Sequence, residues 1–386
     1  MPTETFDAIV IGLGAHGSAA AAALARRELR VLGLDRFARG QTMGSSGGHS
    51  RMIRLAYFED PAYVPLVRES WSAWRGLEDE TGLPILTQTG GIYAGPAGSE
   101  IVDGSVRSAR AHGIRHEVVD GRELARRWPV FAPMDDLVAV VDEEAGMIDA
   151  DAAIAAHLVV AERAGSVLRF GARAVDWRPA AGGGFEVETD DGSVAGSSYL
   201  VIAAGPWMSS FVPDLGLPLA IEREPVAWFE PVVDPSSVAL GRLPVWVMGT
   251  PEDGFFYGFP FDAEHGLKVS HHHWGVLTDA ETIDREFRPA DEARIRAFIR
   301  RRMPGADGSL RTSTVCMYTN TPDLRFVIDR HPAAAGVAYA SACSGHGFKF
   351  APVVGEVLAD LVVGGSTARS IDAFRADRFR QEPVAG

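Results

Sequence analysis

The clearest pattern in the chain is a short apolar run followed by glycines and then by an alanine-rich stretch. Residues 6–11 read F-D-A-I-V-I, which is typical of a buried parallel strand. Residues 12–17 read G-L-G-A-H-G, and residues 18–27 favour a helix. The next apolar run, residues 31–34, ends at Asp35. This order of strand, glycine turn, helix, strand and acid predicts a dinucleotide-binding unit.

Each glycine of this motif has an expected physical role. Gly12 is expected to make the tight turn, and Gly14 lets the backbone approach a pyrophosphate at the helix N-terminus. Gly17 lets helix and strand pack closely, while Asp35 can accept hydrogen bonds from a ribose diol. Since the charge of Asp35 would repel a 2′-phosphate, FAD or NAD is favoured over NADP. The alternative is a glycine-rich turn without a ligand.

Later apolar runs predict further strands of the same sheet. Residues 199–204 read Y-L-V-I-A-A and precede Gly205 and Trp207, as in a later strand of a flavoprotein with two dinucleotide-binding motifs. Residues 171–177 predict a strand at the sheet edge. The nucleotide domain is therefore expected to be discontinuous. The predicted division is a nucleotide domain of residues 1–85, 150–218 and 316–386, and a substrate domain of residues 86–149 and 219–315.

Composition narrows the class of protein. A chain of 386 residues with 46% hydrophobic residues suits two globular domains. The net charge of −14 makes nucleic acid an unfavourable partner. No apolar run reaches the roughly 18 residues of a membrane span, and residues 1–5 lack a basic leader, so the cytoplasm is expected. With only two cysteines and no CxxC pair, neither a disulfide framework nor a zinc site is predicted.

Two arginines follow a run of small residues. Residues 44–54 read G-S-S-G-G-H-S-R-M-I-R, and small residues permit close approach to a ring system. Arg51 and Arg54 are three positions apart, so they would share one face of a helical turn. In an acidic protein they predict an anion site, because guanidinium can hold a carboxylate bidentately. The alternative is a solvated pair that bonds nearby carboxylates such as Glu59 or Asp60.

A lysine and a histidine share a predicted strand. Residues 255–260 read F-F-Y-G-F-P and residues 266–274 read G-L-K-V-S-H-H-H-W. On a strand, Lys268, Ser270 and His272 fall on one face, beside an aromatic hairpin. The three consecutive histidines do not predict a metal site, because neighbours point to opposite faces and no carboxylate sits at ligand spacing. The alternative for Lys268 is an edge-strand lysine that guards against aggregation.

The C-terminal region carries both cysteines. Strands are predicted at residues 326–329 and 337–342, and a long helix at 351–363. Gly345 and Gly347 open a loop before that helix, where a flavin's polar edge could sit. Lys349 would lie in the first helical turn, where its charge opposes the helix dipole and therefore suggests function. Residue type alone does not say whether Cys316 or Cys343 is reactive.

Taken in order, these motifs resemble the monomeric sarcosine oxidase and N-methyltryptophan oxidase family of FAD-dependent amine oxidases. The resemblance extends from residue 6 to about residue 374. Its most specific stretches are S-R-M-I-R-L-A-Y, L-K-V-S-H-H, V-C-M-Y-T-N-T-P-D and S-G-H-G-F-K-F. It implies an α/β (α+β) two-domain fold, with a Rossmann-like FAD-binding domain of the glutathione-reductase/D-amino-acid-oxidase type. The second domain would be a mostly antiparallel sheet that binds substrate.

The resemblance also implies residue roles. FAD would be covalently attached through Cys316 by an 8α-thioether, Arg54 and Lys349 would grip the substrate carboxylate, and Lys268 would activate oxygen. The implied catalytic residues are Lys268, His272, Arg51 and Tyr318, and the implied substrate-binding residues are Arg54, Lys349, Tyr257 and Met248. The implied cofactor-binding residues are Gly12, Gly14, Gly17, Asp35, Arg36, Ser45, Arg51, Ala174, Gly205, Trp207, Cys316, Gly345, Gly347 and Lys349.

The activity implied is oxidation of N-methyl amino acids such as sarcosine. The imine would hydrolyse to an aldehyde and an amine, with H2O2 formed from O2, and a monomer is expected. Ser46 and Gly47 stand where relatives carry histidines, and His271 stands where a tyrosine is common. These departures leave open a larger N-methyl amino acid, a cyclic imino acid such as pipecolate or proline, or a dehydrogenase that does not use O2. Hydride transfer and an amine–flavin adduct both remain open as routes.

Overall fold

The computed structural model describes residues 4–379, so the ends of the predicted domains at residues 1–3 and 380–386 lie outside the described residues. Its strands, in chain order, are β1 Glu4–Ile11, β2 Val31–Asp35, β3 Ser50–Arg54, β4 Leu86–Gln88, β5 Gly91–Gly95, β6 His116–Asp120, β7 Val138–Asp142, β8 Ala145–Asp149, β9 Val167–Phe170, β10 Ala174–Pro179, β11 Phe185–Thr189, β12 Val194–Ile202, β13 Ala220–Phe229, β14 Val245–Thr250, β15 Gly254–Asp262, β16 Gly266–His271, β17 Val276–Thr278, β18 Leu310–Asn320, β19 Val327–Arg330 and β20 Val337–Ser341. Its helices are α1 Ala15–Ala25, α2 Val64–Thr81, α3 Glu100–His112, α4 Gly121–Arg127, α5 Ala150–Arg163, α6 Met208–Phe211, α7 Pro289–Arg302 and α8 Ala351–Val363.

The first sheet has the parallel core that the glycine motif predicts. Its strands lie in the order β10-β11-β12-β1-β2-β9, and β20 pairs with both β12 and β19. The run β9, β2, β1, β12 and β20 is parallel throughout. The predicted edge strand is present as β10. The strand, glycine turn and helix of the dinucleotide unit are thus confirmed.

Small residues let helices pack closely beside this sheet. Helix α1 is buried along nearly its whole length, because alanine and glycine leave room for β1 on one side and α8 on the other. At Gly355 of α8, an added Cβ would lie 2.5 Å from the carbonyl carbon of Ala19. The contact between α1 and α8 therefore requires glycine at that position, and it holds the C-terminal helix beside the glycine turn.

The second sheet is mostly antiparallel, as predicted. Its strands lie in the order β17-β13-β16-β15-β14-β5-β7-β6, and β18 pairs along β13. Within this second sheet, β14 and β5 form the only parallel pair among the strands described between residues 4 and 379. Strand β16 lies between β13 and β15, and Lys268 on it is 2% exposed. Lys268 is therefore not an edge-strand lysine.

A third, small sheet corrects the prediction for the two arginines. Arg51 and Arg54 lie on strand β3, which pairs with β8 from Ser50 opposite Asp149 to Arg54 opposite Ala145. The expected helical turn is wrong, because the ladder with β8 satisfies the backbone of these residues in extended form. Side chains three positions apart on a strand point to opposite faces of the sheet, so Arg51 and Arg54 do not share one face as the helical turn would require.

The strands of the first two sheets follow the segments of the predicted two domains, whose division stays a prediction, except at one boundary. Strands of the first sheet come from the segments assigned to nucleotide binding, and strands β5 to β7 and β13 to β17 come from the other segments. The boundary between residues 315 and 316 is wrong, since it cuts β18 Leu310–Asn320, which pairs with β13 from end to end. From residue 4 to residue 379, none of the helices combines the length and apolar character that spanning a bilayer requires.

Candidate active site

Two adjoining cavities contain nearly all of the predicted site residues. Cavity A lies at the carboxyl ends of β1 and β2 and follows the glycine turn. Cavity B lies between the small sheet and the antiparallel sheet. Ser45, Cys343 and Phe348 line both cavities, so A and B meet at these three side chains.

The three glycines of the turn differ in their surroundings. Gly12 has φ +89°, and a Cβ there would lie 2.5 Å from the Ala203 carbonyl oxygen. At Gly17 a Cβ would lie 1.8 Å from the Gly12 oxygen, so this glycine is needed for close packing. Gly14 faces cavity A, with only Ser46 Oγ nearby at 3.4 Å. These positions match the expected turn, packing and backbone-approach roles.

Asp35 ends β2 and faces cavity A. Its carboxylate accepts hydrogen bonds from the backbone N–H groups of Leu13 and Phe37, both at 2.9 Å. Burial raises the pKa of Asp35, while these two N–H groups and Arg36 act in the opposite direction. One function of the acid is therefore to hold the glycine turn in place. The ribose contact stays a prediction.

The predicted residues divide between the cavities, with two exceptions. Those lining cavity A are Gly12, Gly14, Asp35, Arg36, Ala174, Gly205 and Trp207. Those lining cavity B are Arg51, Arg54, Tyr257, Lys268, His272, Cys316, Tyr318, Gly345, Gly347 and Lys349, and Ser45 lines both. Gly17 lies behind the turn. Met248 as a pocket residue is wrong: it is 1% exposed inside the core, and alternation along β14 turns its neighbour Val247 to cavity B.

The structure distinguishes the two cysteines. Cys316 is buried on β18, and its Sγ lies 3.5 Å from the Gly47 carbonyl oxygen. A Cβ added at Gly48 would lie 3.4 Å from that Sγ, 3.7 Å from Arg51 Nη1 and 3.9 Å from Lys268 Nζ. The Cys316 sulfur therefore faces two cations across a glycine. The Sγ of Cys343 instead accepts the Thr319 N–H at 3.4 Å, and burial raises the pKa of its thiol.

The first cation pair consists of Arg51 and Lys268, and carbonyl oxygens hold both. Lys268 Nζ donates to the oxygens of Gly48 at 2.8 Å and Ser50 at 3.0 Å. Arg51 donates to the oxygens of Ser50 at 2.9 Å and Ser45 at 3.0 Å. Burial, and then the charge of Arg51, lowers the pKa of Lys268 well below its usual value.

The second cation pair consists of Arg54 and Lys349. Arg54 Nη2 donates to both oxygens of Glu59, at 2.6 and 2.7 Å. Glu59 is one of the two carboxylates that the alternative hypothesis named as partners of the arginines. Its Nη1 is buried and has no hydrogen-bond partner. Lys349 Nζ donates to the His346 oxygen at 2.6 Å, and burial followed by the charge of Arg54 lowers its pKa to about 7. Lys349 lies in a 3-10 turn, Phe348–Phe350, just before α8 and not in its first turn.

His272 and Tyr318 form a polar contact inside an aromatic wall. His272 Nδ1 and Tyr318 Oη are 3.1 Å apart, and the rings of Phe255 and Tyr257 lie 4.8 and 6.0 Å from the imidazole. Burial and then the neighbouring His273 lower the pKa of His272 well below its usual value. The imidazole is therefore neutral at physiological pH and can accept a hydrogen bond.

Glu224 was not predicted as a site residue from the sequence. It lines cavity B from β13, is 1% exposed, and its Oε2 has no hydrogen-bond partner. Glu222, Glu224 and His273 offer ligand atoms within 4.8 Å of one another, so the statement that no carboxylate stands at ligand spacing is wrong. Glu222 already accepts from Asn320 Nδ2 at 2.7 Å and lies 3.3 Å from His273 Nδ1, and we assign no metal there. Period-two alternation along β13 was the available signal.

Comparison with known proteins agrees with this architecture. The profile of the family described as "DAO: FAD dependent oxidoreductase" matches residues 7–361. The chain is 40% identical to the monomeric sarcosine oxidase of Streptomyces avermitilis over 99% of this chain and 100% of that protein. It is 33% identical to the N-methyl-L-tryptophan oxidase of Salmonella enteritidis over 97% and 100% of the two chains. The solved structure of NikD, an unusual amino acid oxidase of nikkomycin biosynthesis, shares the fold with a TM-score of 0.85 at 24% identity, covering 97% and 98%.

Proposed function

Because the chain belongs to the FAD-dependent oxidoreductases, and among them to the family of monomeric sarcosine oxidases and N-methyl-L-tryptophan oxidases, we propose that it oxidises N-methyl amino acids such as sarcosine. The imine formed from the substrate hydrolyses to an aldehyde and an amine. The observation that carries this proposal is a single cavity with two pairs of cations, in which Arg54, Lys268 and Lys349 are buried and Arg51 is partly buried. One pair suits a substrate carboxylate, and the other pair faces the Cys316 sulfur.

The residues of cavity A fit FAD. Gly14 leaves open space at a helix N-terminus, where backbone N–H groups favour phosphate, and Asp35 stands at the end of the next strand. Ser45 Oγ is buried beside the Cys343 thiol at the junction of the two cavities, where a bound ligand would meet it. When bound, FAD would supply the two-electron oxidation of the C–N bond and pass the electrons to O2, which leaves as H2O2.

The tether is assigned to Cys316. Its sulfur lines cavity B next to Arg51 and Lys268, and cations stabilise negative charge that develops on sulfur. The Cys343 sulfur instead accepts a hydrogen bond from the backbone N–H of Thr319. This difference supports Cys316 as the covalent attachment site.

The second cation pair would hold the substrate carboxylate. Arg54 Nη1 has a free donor, and Lys349 uses only one of its three donors on a carbonyl oxygen. Two buried positive charges disfavour a third nearby, so the substrate amine would bind neutral, without needing a strong base. The neutral imidazole of His272 can accept the N–H of that amine. Together these contacts fix the position of the substrate methyl group.

The first cation pair, Arg51 and Lys268, would take part in the reaction with O2. O2 gains negative charge as it is reduced, and a fixed cation in a buried cavity stabilises that charge as it develops. Lys268 fits this role because among residues 4–379 no carboxylate forms an ion pair with it or with Arg51. Its contacts with carbonyl oxygens fix the ammonium without cancelling its charge.

A substrate panel tests the proposal. Peroxide formation would be measured under air with sarcosine, larger N-methyl amino acids, pipecolate and proline, beside the same reactions with an artificial electron acceptor. The expected result is one peroxide per N-methyl amino acid oxidised. Turnover with the artificial acceptor alone would identify a dehydrogenase, and a preference for pipecolate or proline would transfer the assignment to cyclic imino acids.

A further inference from the structure

Glu224 lies directly opposite Cys316 in the antiparallel pairing of β13 with β18. Directly opposite residues of such a pair point to the same face, with their Cβ atoms about 4.5–5.5 Å apart. Both side chains line cavity B. We propose that Glu224 accepts the thiol proton of Cys316 when FAD becomes covalently attached, a role that rests on the proposed Cys316 tether.

The carboxyl of Glu224 is only half satisfied by the protein. One oxygen, Oε1, accepts the Trp274 N–H at 3.2 Å, while Oε2 is buried and has no hydrogen-bond partner among residues 4–379. Leaving a buried acceptor unpaired is unfavourable, so the fold does not gain stability from this oxygen. An unpaired carboxyl oxygen beside the proposed tether point is suited to a proton that arrives during a reaction.

The surroundings of Glu224 change the pKa of its carboxyl group. The titratable and charged groups facing it are Glu222 on its own strand, Cys316 and Tyr318 on β18, Tyr257 on β15, His273 after β16 and Arg294 on α7. Burial, and then the charge of Glu222, raises the pKa of Glu224 well above its usual value. A raised pKa makes the Glu224 carboxylate a stronger base than an ordinary carboxylate, so transfer of a thiol proton to it is less unfavourable.

The attachment step balances as follows. The S–H bond of Cys316 and one C–H bond of the flavin 8-methyl group break, and a sulfur–carbon bond forms. One proton goes to Glu224, the other goes to solvent, and the two electrons remain on the flavin. O2 then removes these electrons as H2O2, the same acceptor reaction proposed for turnover. Arg51 and Lys268, which face the sulfur, stabilise its charge once the proton has left.

A time course of attachment tests this role. The full-length chain, prepared without flavin, is mixed with FAD under air, and samples are precipitated with acid to measure flavin bound to protein. Glu224→Gln keeps the shape but removes the proton acceptor, so we expect attachment about 100-fold slower. FAD binding before attachment, followed by its visible spectrum, should be unchanged.

Glu222→Gln is the matched control, because Glu222 shares the strand and face of Glu224 but does not line either cavity. Removing its charge should keep attachment fast and shift the rise of rate with pH to lower pH, since Glu222 no longer raises the pKa of Glu224. Attachment at the wild-type rate in Glu224→Gln would overturn the proposal. So would an unshifted pH profile in Glu222→Gln, which decides the matter if Glu224→Gln does not fold. Wild-type protein that binds FAD but never attaches it would instead refute the Cys316 tether.

Discussion

Cavity B contains two cation pairs whose hydrogen-bond partners differ in kind. Arg51 and Lys268 are held by carbonyl oxygens of residues 45–50, which are part of the main chain and cannot be exchanged. Arg54 is held by Glu59, a side-chain carboxylate with the same chemistry as the end of an amino acid. The Arg51 guanidinium of the first pair therefore keeps its positive field, while the second pair can exchange its protein carboxylate for a substrate carboxylate.

This difference explains how one cavity can act on both O2 and the substrate carboxylate. A carbonyl oxygen carries only a partial charge, so it orients a cation and leaves most of its field available. A carboxylate neutralises the cation and competes with any other anion that binds it. The pair that has no carboxylate is suited to charge developing on oxygen, and the pair with one is suited to reversible binding of substrate.

Loss of the tether should be the largest effect. Cys316→Ala removes the sulfur that faces the first pair, and we expect complete loss of acid-stable flavin. Acid precipitation followed by absorbance of the pellet measures this directly. Cys343→Ala is the control and should give a yellow pellet. A yellow pellet from Cys316→Ala would place the tether elsewhere.

Substitution of Arg54 should cause the next largest effect, a loss of kcat/KM for sarcosine. Charged hydrogen bonds contribute about 1.5–3 kcal/mol each, so losing two to a carboxylate predicts a kcat/KM for sarcosine that is lower by roughly 100-fold to 10,000-fold. Arg54→Met alone leaves Glu59 buried without its partner, so the double variant Arg54→Met with Glu59→Gln separates lost binding from lost stability. Steady-state kinetics should give the same loss in both. An unchanged kcat/KM in the double variant would contradict the carboxylate role.

Lys268→Met should impair the reaction with oxygen. Removing one preorganised charge from a buried site costs about 100-fold or more in rate, so kcat/KM for O2 should fall by that factor. An oxygen electrode at varied O2 measures it. Lys349→Met, which removes the ammonium of the other pair, should leave this parameter within a few-fold of wild type. Equal losses in the two variants would mean that the pairs are not specialised.

The pH dependence of anion binding should report Lys349. Without ligand its pKa is lowered to about 7, so the ammonium is charged below pH 7 and becomes neutral as pH rises through that value. A carboxylate binds the charged form, so affinity for acetate, which has no amine of its own, should fall about 10-fold from pH 6 to pH 9. Titration of the flavin spectrum with acetate measures it. Lys349→Arg should flatten the profile, and an equally steep profile in that variant would exclude Lys349 as the titrating group.

The smallest expected effect is that of Glu59→Gln. Burial alone would raise the pKa of Glu59, but Arg54, His346 and Lys349 together hold it below its usual value, so the carboxylate is charged and competes with substrate. Removing that charge should lower KM for sarcosine a few-fold, since Arg54 is released. Asp60→Asn, next in sequence but paired with Arg325, is the control and should not change KM. A raised KM in Glu59→Gln would mean that Glu59 positions Arg54 and does not compete.

Cavity A could be predicted from the sequence to a greater extent than cavity B. The glycine turn and Asp35 lie within 24 consecutive residues, from Gly12 to Asp35, and each glycine has a local steric reason. Cavity B is assembled by strand pairing between segments far apart in the chain. Arg51 and Arg54 were placed on a helical turn because spacing alone cannot reveal the ladder between β3 and β8.

Two other errors have the same origin. Met248 and Val247 are neighbours on β14, and a shift of one position exchanges the core for the cavity. Glu224 has no motif around it, and its position opposite Cys316 follows from the register of two strands that are about ninety residues apart. Residue type identified the cations, but only the long-range pairing shows which partner each one has.

The central claim, that the two cation pairs serve different halves of the reaction, can be measured by separating those halves. Flavin reduction by sarcosine would be followed without oxygen, and reoxidation would then be started by mixing with O2, in wild type, Arg54→Met/Glu59→Gln and Lys268→Met. We predict slow reduction with normal reoxidation in the Arg54 double variant, and normal reduction with slow reoxidation in Lys268→Met. If both variants slowed the same half-reaction, the division between the two pairs would be contradicted.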